Sequence, residues 1–281
     1  MKYINTRYGL FETHSFQTFY DDSNNGGGFT GGEGKISLPA ETTKLYMSFE
    51  LYTTGTSSSS CWPVQIYFSD GDYNTVKAST VQIQLQCTYS DNTVYLKTNN
   101  TERYKATLDT KRWYRIYLAI DTTAGTVDFY IDGDKVGTYT EHVKTGVKAI
   151  SCKIKLINAS SNLYTKMRNI IISDQYFPQN EEIIYVPATI TNSGFSYDSN
   201  SGYYSTEAEN STLQLTPDLS VLNGYKVTAC NVFPVTQTQG DTIKNLQCTM
   251  GDYSKTNEIK RGMYFEDLPT NISNITLTAK K

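Results

Sequence analysis

The sequence predicts an all-β protein: a two-sheet sandwich followed by a smaller β-sandwich domain. Three observations carry that prediction. Composition favours strands and turns, with 23 Tyr and 11 Phe among 281 residues and with Asn, Thr, Ser and Gly abundant while Ala and Leu are sparse. Apolar residues recur with a period of two in many short segments, the spacing that sends alternate side chains to opposite faces of a sheet. Those segments are short and evenly spaced and are bounded by turn residues, which is the pattern of a two-sheet sandwich.

In chain order, residues 1–20 hold aromatics without a clear period. They suit an edge strand, with an arm docked on a neighbouring subunit as the alternative. Residues 21–34 (DDSNNGGGFTGGEG) form a turn-rich loop. It contains Gly26-x-Gly28-x-x-Gly31, but a strand follows where phosphate cradling needs a helix N-terminus, so this is not a dinucleotide site. Leu45–Leu51 alternates cleanly. Trp62–Phe68 and Thr80–Gln86 read as strands around an acidic loop, and Thr93–Lys97 as another strand.

The central stretch is Trp113–Gly137. Tyr114, Ile116, Leu118 and Ile120 share one face, with Trp113, Arg115, Tyr117 and Ala119 on the other. After a turn at 121–125, Val127, Phe129 and Ile131 point inward and Asp128, Tyr130 and Asp132 outward. Asp132-Gly133 is the dipeptide of a tight primed hairpin turn, which needs positive φ at both central residues. Ala149–Ile157 and Met167–Ser173 complete the first domain, 1–177. Residues 178–183 read as a linker opened by Pro178. The second domain, 184–281, has strand candidates at Ile184–Ile190, Gly202–Ser205, Thr212–Leu215, Tyr225–Val232, Thr242–Met250 and Ile275–Ala279, at about the size of an immunoglobulin-like sandwich.

The tryptophan that opens a strand, followed by V-D-F-Y-I-D-G-D-K-V-G, resembles the laminin-G-like branch of the concanavalin A-like lectin jelly rolls. GEGKISLPAE (Gly32–Glu41) with Leu45–Leu51 resembles the opening strands of that family, and Met167–Ser173 its closing strand. The resemblance covers roughly the first two-thirds of the chain. It implies a core position for Trp113 and, since some such domains bind calcium, a possible calcium site.

The chemistry the sequence offers is that of binding. His14 and His142 are the two histidines, and neither stands in a metal-pair spacing. Asp128 and Asp132 share a strand face but lack the glutamate that a glycosidase strand would add, so no catalytic residue is expected. Asp70, Asp72 and Asn74 have the alternating spacing that opens a calcium loop. Thr75, however, stands where the sharp turn needs Gly, and Val81 where the bidentate Glu belongs. Sugar recognition needs an aromatic platform with short polar groups around it; Trp62, Tyr67, Asp128, Tyr130 and Tyr139 are the candidates.

A net charge of −3 gives no footprint for nucleic acid, and no apolar run is long enough for membrane insertion. The five cysteines read as buried thiols, with a Cys230–Cys248 bridge as the alternative. The N-terminus lacks the apolar region of a secretory signal. A fold usually found outside cells, with neither signal nor disulfide framework, fits a phage virion protein made in the host cytoplasm. The expectation is therefore a non-enzymatic structural or accessory protein of a head decoration, fibre or tail. It would bind other virion proteins or cell-surface carbohydrate, and a homo-oligomer is compatible with that role. The alternatives are a carbohydrate-active enzyme or its binding module, and a bacterial surface adhesin.

Overall fold

The structure is a computed structural model that describes residues 2–5, 13–14, 17–19, 28–53, 61–70, 80–87, 93–98, 101–109, 111–140, 143–156, 165–181, 184, 186–200, 203–225, 227, 229–232, 243–258, 263–266 and 272–281. The chain divides into two compact units, Met1–Ile183 and Ile184–Lys281. The strands of the first unit are β1 (Lys2–Asn5), β2 (Thr13–His14), β3 (Gln17–Phe19), β4 (Gly28–Thr30), β5 (Gly32–Thr42), β6 (Lys44–Thr53), β7 (Cys61–Ser69), β8 (Thr80–Cys87), β9 (Thr93–Thr98), β10 (Thr101–Thr107), β11 (Trp113–Asp121), β12 (Thr126–Ile131), β13 (Asp134–Tyr139), β14 (Ala149–Leu156) and β15 (Thr165–Ser173).

They form two antiparallel sheets. The first runs β13-β12-β11-β6-β15-β4-β3, with β1 also paired to β15; the second runs β10-β9-β8-β7-β14-β5-β2. Of the described N-terminal residues, Lys2–Asn5 pair as β1 with β15, and Thr13–His14 pair as β2 with β5 at the end of the second sheet. One apolar core joins the sheets: Met47, Phe49, Ile116, Leu118, Val127, Phe129 and Ile172 from the first meet Ile36, Val64, Ile66, Phe68, Ile83 and Ile154 from the second. This is a two-sheet jelly-roll sandwich. Period-two alternation builds it, since each inward residue on β6 and β11 is matched in register by another on its neighbour, as Phe49 is by Ile116 and Met47 by Leu118.

Two irregularities set the details. Asp132 and Gly133 both have positive φ, 51° and 93°, as the primed turn between β12 and β13 requires. In β15 the register slips between Arg168 and Ile171, with Asn169 at φ 53°. This bulge resets the alternation. Ile170 and Ile172 enter the main core, while Ile171 joins a smaller cluster with Tyr117 and Phe177 on the outer side.

The second unit contains β16 (Ala188–Ser193), β17 (Ser196–Asp198), β18 (Tyr203–Ser205), β19 (Thr212–Pro217), a 3-10 turn at Leu219–Leu222, β20 (Ala229–Val232), β21 (Asn245–Met250), β22 (Tyr253–Glu258), β23 (Met263–Glu266) and β24 (Ile275–Lys280). A five-stranded sheet, β16-β19-β24-β21-β22, is accompanied by the ribbons β17-β18 and β20-β23. Leu213, Leu246, Cys248, Met250 and Leu277 of the sheet share a core with Met263 and Phe265 of the second ribbon. The predicted strand at Ile184–Ile190 begins later, at Ala188, and Tyr225–Val232 shortens to Ala229–Val232.

Cys152, Cys230 and Cys248 are free thiols. The last two pack in the same core, where the structure has no bridge between them. Burial pushes Cys152 up to about 12 and Cys230 up to about 11. In the register of β7 and β8, Cys61 stands opposite Cys87, a pairing that sequence spacing alone does not reveal.

Candidate functional site

The outer face of the first sheet is a ladder of rings and charges. Its rungs follow from register across β11, β6 and β15. Trp113 pairs with Tyr52, Arg115 with Glu50 and Tyr117 with Ser48; Tyr52 pairs with Lys166 and Glu50 with Arg168. Arg168 Nε lies 2.6 Å from Glu50 Oε2, and Arg115 Nη2 is 3.7 Å from Glu50 Oε1. The Arg168 guanidinium sits 4.0 Å from the Trp113 ring centroid, and the Tyr52 ring is 5.2 Å away from that of Trp113. Trp113 is therefore on the outer face and half-buried, which corrects the core position implied by the family resemblance. It belongs to the outward set of its own strand, and a buried guanidinium stacked on an indole accounts for its partial burial.

Further along this face is a second aromatic group. Tyr117 is buried, and its hydroxyl donates to the Phe177 carbonyl at 3.1 Å. Its ring meets Phe177 at 5.3 Å and Tyr130 at 5.5 Å, both edge-on. Tyr46 and Tyr176 meet edge-on at 5.8 Å. Phe177 is buried, but Tyr176 beside it is 69% exposed. Burial raises the Tyr117 pKa, and the neighbouring Tyr176, Tyr46 and Tyr130 together with Glu181 add to the effect.

Tyr130 is half-buried at the edge of this group. Lys135 Nζ lies 5.8 Å from its ring centroid and 3.0 Å from Asp128 Oδ1. Thr138 Oγ1 also donates to Asp128. The hydrogen bond to Asp128 raises the pKa of Lys135. The arrangement thus presents an exposed ring, Tyr176, two half-buried rings, Tyr46 and Tyr130, and a hydrogen-bonding group of carboxylate, ammonium and hydroxyl.

The other candidate residues lie elsewhere. Tyr67 is half-buried on the outer face of the second sheet, where its hydroxyl donates to Gln65 Oε1 at 2.9 Å and Lys153 Nζ is 5.9 Å from its ring. Tyr139 stands opposite Val127 and packs against the main core. A β-carbon on Gly137 would come within 2.8 Å of its hydroxyl, so the ring fills the space over that glycine. A register shift between Phe129 and Tyr130 puts Tyr139 on this inner side, and spacing counted from the turn could not show it. Trp62 lies on β7, but its side chain falls outside the described residues. Asp70 is exposed, whereas Asp72 and Asn74 fall outside the described residues. Among the described residues no cluster of three or more His, Cys, Asp or Glu is placed to hold a metal, and no helix is long and apolar enough to cross a membrane.

Asp132 is absorbed by the hairpin. Its Oδ1 accepts from the Arg115 backbone N–H at 2.8 Å, and its Oδ2 from Arg112 Nη2 at 2.8 Å. Asp128 and Asp132, the strand's two carboxylates, thus have separate partners, lysine and threonine for one and the turn with Arg112 for the other. The sequence reading missed Tyr46, Tyr176 and the Glu50–Arg168 pair. Alternation in β6 carries the signal for Tyr46 and Glu50, because Leu45, Met47, Phe49 and Leu51 occupy the inward positions.

No protein-family model matches the chain, and no curated protein matches it. Solved structures resemble it in fold. The carbohydrate recognition domain of Emp46p in its metal-free form is 9% identical, with a TM-score of 0.43 over 59% of this chain and 88% of that one. Domain 4 of AbnA, an extracellular arabinanase of Geobacillus stearothermophilus solved with arabinotriose, is 13% identical, with a TM-score of 0.41 over 61% of this chain and 92% of that one. A sialidase matches at 14% identity and a TM-score of 0.36 over 52% of this chain, which spans only 14% of the sialidase. At these scores the likenesses carry nothing about what this chain binds.

Proposed function

We propose that this chain is a non-enzymatic, carbohydrate-binding structural or accessory protein of a phage particle, and that it adheres through the outer face of its first sheet. One observation carries the reading: the exposed Tyr176 beside Tyr46 and Tyr130, flanked by the Asp128–Lys135–Thr138 group. A pyranose ring offers one apolar face and a rim of hydroxyls. A tyrosine platform beside fixed polar groups matches both parts. Asp128 and Lys135 give the site an acceptor and a donor. Their mutual ion pair orients them before any ligand arrives.

The virion setting is supported by the thiols. Cys152, Cys230 and Cys248 are free in a fold type that often works outside cells, and this suits synthesis in a reducing cytoplasm followed by release. On this reading, neighbouring virion proteins are partners as well as glycan, and the second unit serves attachment.

A glycan array with the full chain tests the adhesion. We expect binding to a defined glycan set, weakened roughly tenfold by Tyr176→Ala, with no reducing sugar released from the bound glycans. Sugar release that disappears in Asp128→Ala would establish the enzyme instead. Mass spectrometry of purified phage particles tests the setting and should detect this chain among their proteins.

A further inference from the structure

Each of the five cysteines lies on a strand of defined register, and in one place cysteine stands opposite cysteine. Cys152 on β14 is opposite Phe68 and Ile36, Cys230 on β20 is opposite Phe265, and Cys248 on β21 is opposite Lys255 and Leu277. Cys61 on β7 is opposite Cys87 on β8. A bulge makes that pairing. Val64 is matched with Leu85 and the register shifts between Cys61 and Val64, so Trp62 and Pro63 together occupy the span opposite the one residue Gln86. Without the extra residue, Cys87 would stand opposite Trp62. Pro63 suits the bulge, because proline has no N–H to give to the ladder.

Directly opposed residues of an antiparallel pair have their Cα atoms about 4.5 or 5.5 Å apart, depending on whether they exchange hydrogen bonds. Both separations fall inside the span of roughly 4.4–6.8 Å that a disulfide bridges. A bond at this position therefore needs no movement of the strands. Cys61 opens β7 and Cys87 closes β8, so the bond encloses both strands and the segment between them. In the strand order of the second sheet, β9 and β10 reach β14 and β5 through β8 and β7. The pair lies at that joint.

We propose that Cys61 and Cys87 form a disulfide when the chain meets an oxidising medium, while Cys152, Cys230 and Cys248 stay thiols. With oxidised glutathione as the oxidant, the thiolate of one cysteine attacks the glutathione disulfide. A mixed disulfide forms and one glutathione thiolate leaves. The second cysteine thiolate then attacks the protein sulphur of the mixed disulfide, which forms the Cys61–Cys87 bond and releases the second glutathione thiolate. The two thiol protons end on the two glutathione thiolates, so two cysteine thiols are oxidised and one glutathione disulfide is reduced. The thiolate is the attacking form, and burial keeps it scarce at Cys152, Cys230 and Cys248. Once made, the bond restricts the unfolded chain and so holds the β8-β9-β10 edge to β7. The inference rests on register and does not depend on the carbohydrate reading.

Thiol blocking and peptide mapping of the full chain test it. The reduced chain is equilibrated in a mixture of oxidised and reduced glutathione, alkylated under denaturing conditions and cut with trypsin, which separates the two cysteines at Lys77. We expect one linked pair of peptides, carrying Cys61 and Cys87, with alkylation at Cys152, Cys230 and Cys248. The first unit of the linked chain should melt roughly 5–10 °C above that of the reduced chain. Cys61→Ala should abolish this difference between the two conditions, whatever its own stability. Four outcomes would overturn the proposal: alkylation of all five cysteines, a bridge that involves Cys230 or Cys248, a disulfide between two copies of the chain, or equal melting of the linked and reduced chains.

Discussion

At Asp132-Gly133 two backbone dihedrals close the hairpin that carries Asp128, Tyr130, Lys135 and Thr138. A β-carbon on Gly133 would meet nothing within 4 Å, so the cost of a larger residue there is conformational, not steric crowding. Gly133→Val should destabilise the first unit by about 1–2 kcal/mol, read from urea denaturation. The buried ionisable groups make a second prediction at this scale. Cys152 and Cys248 are pushed up to about 12 and Cys230 up to about 11 by burial, and Tyr117 is raised as well. A raised pKa means that the unfolded chain loses its protons first. Stability is therefore full below the ordinary thiol pKa of 9.0 and falls as pH climbs from there toward 12. Denaturation midpoints at pH 8 and pH 10.5 should differ in that direction, and replacing Cys152 by Ala should reduce the loss. The hairpin was legible in the dipeptide itself. The place of Trp113 was legible too, in its odd position on β11, but the family resemblance pointed the other way.

Among the elements, β15 shows where sequence reading stops. Met167–Ser173 reads as one strand, and three consecutive isoleucines give no alternation that would say which of them faces inward. The bulge at Asn169 decides it, sending Ile170 and Ile172 to the core and Ile171 to the outer cluster. Asparagine tolerates the left-handed conformation that this bulge uses. Asn169→Gly should change stability by no more than about 0.5 kcal/mol, and Asn169→Val should cost about 1–2 kcal/mol, both measured by thermal melting. The segment that follows lies against the outer face, with Phe177 over Tyr117 and its carbonyl taking the tyrosine hydroxyl. That contact joins residues 60 apart, which local patterning does not register, so the aromatic cluster was only half visible in the sequence. Alternation places Tyr130 and Tyr46 outward on β12 and β6, but Tyr176 lies beyond the end of β15, where no alternation applies.

For the whole molecule, each unit has its own core. In the second, alternation at Leu246, Cys248 and Met250 and at Leu277 and Ala279 meets across the pairing of β21 with β24. A fragment of residues 184–281 should therefore fold alone and melt cooperatively, which circular dichroism checks. The fold class was legible throughout, because period-two burial sets both the number and the facing of strands. The ligand was not legible, because sheet faces are assembled by register between strands far apart in sequence: Tyr46, Tyr117 and Tyr130 share one face across β6, β11 and β12. The central claim is that the first unit holds glycan on the outer face of its first sheet without cleaving it. Isothermal titration of the full chain and of Tyr176→Ala with the strongest array glycan, followed by chromatography of the recovered sugar, tests this most directly. The account predicts saturable binding, a roughly tenfold loss in the variant and intact glycan at the end; undiminished binding by Tyr176→Ala, or shortened glycan, would contradict it.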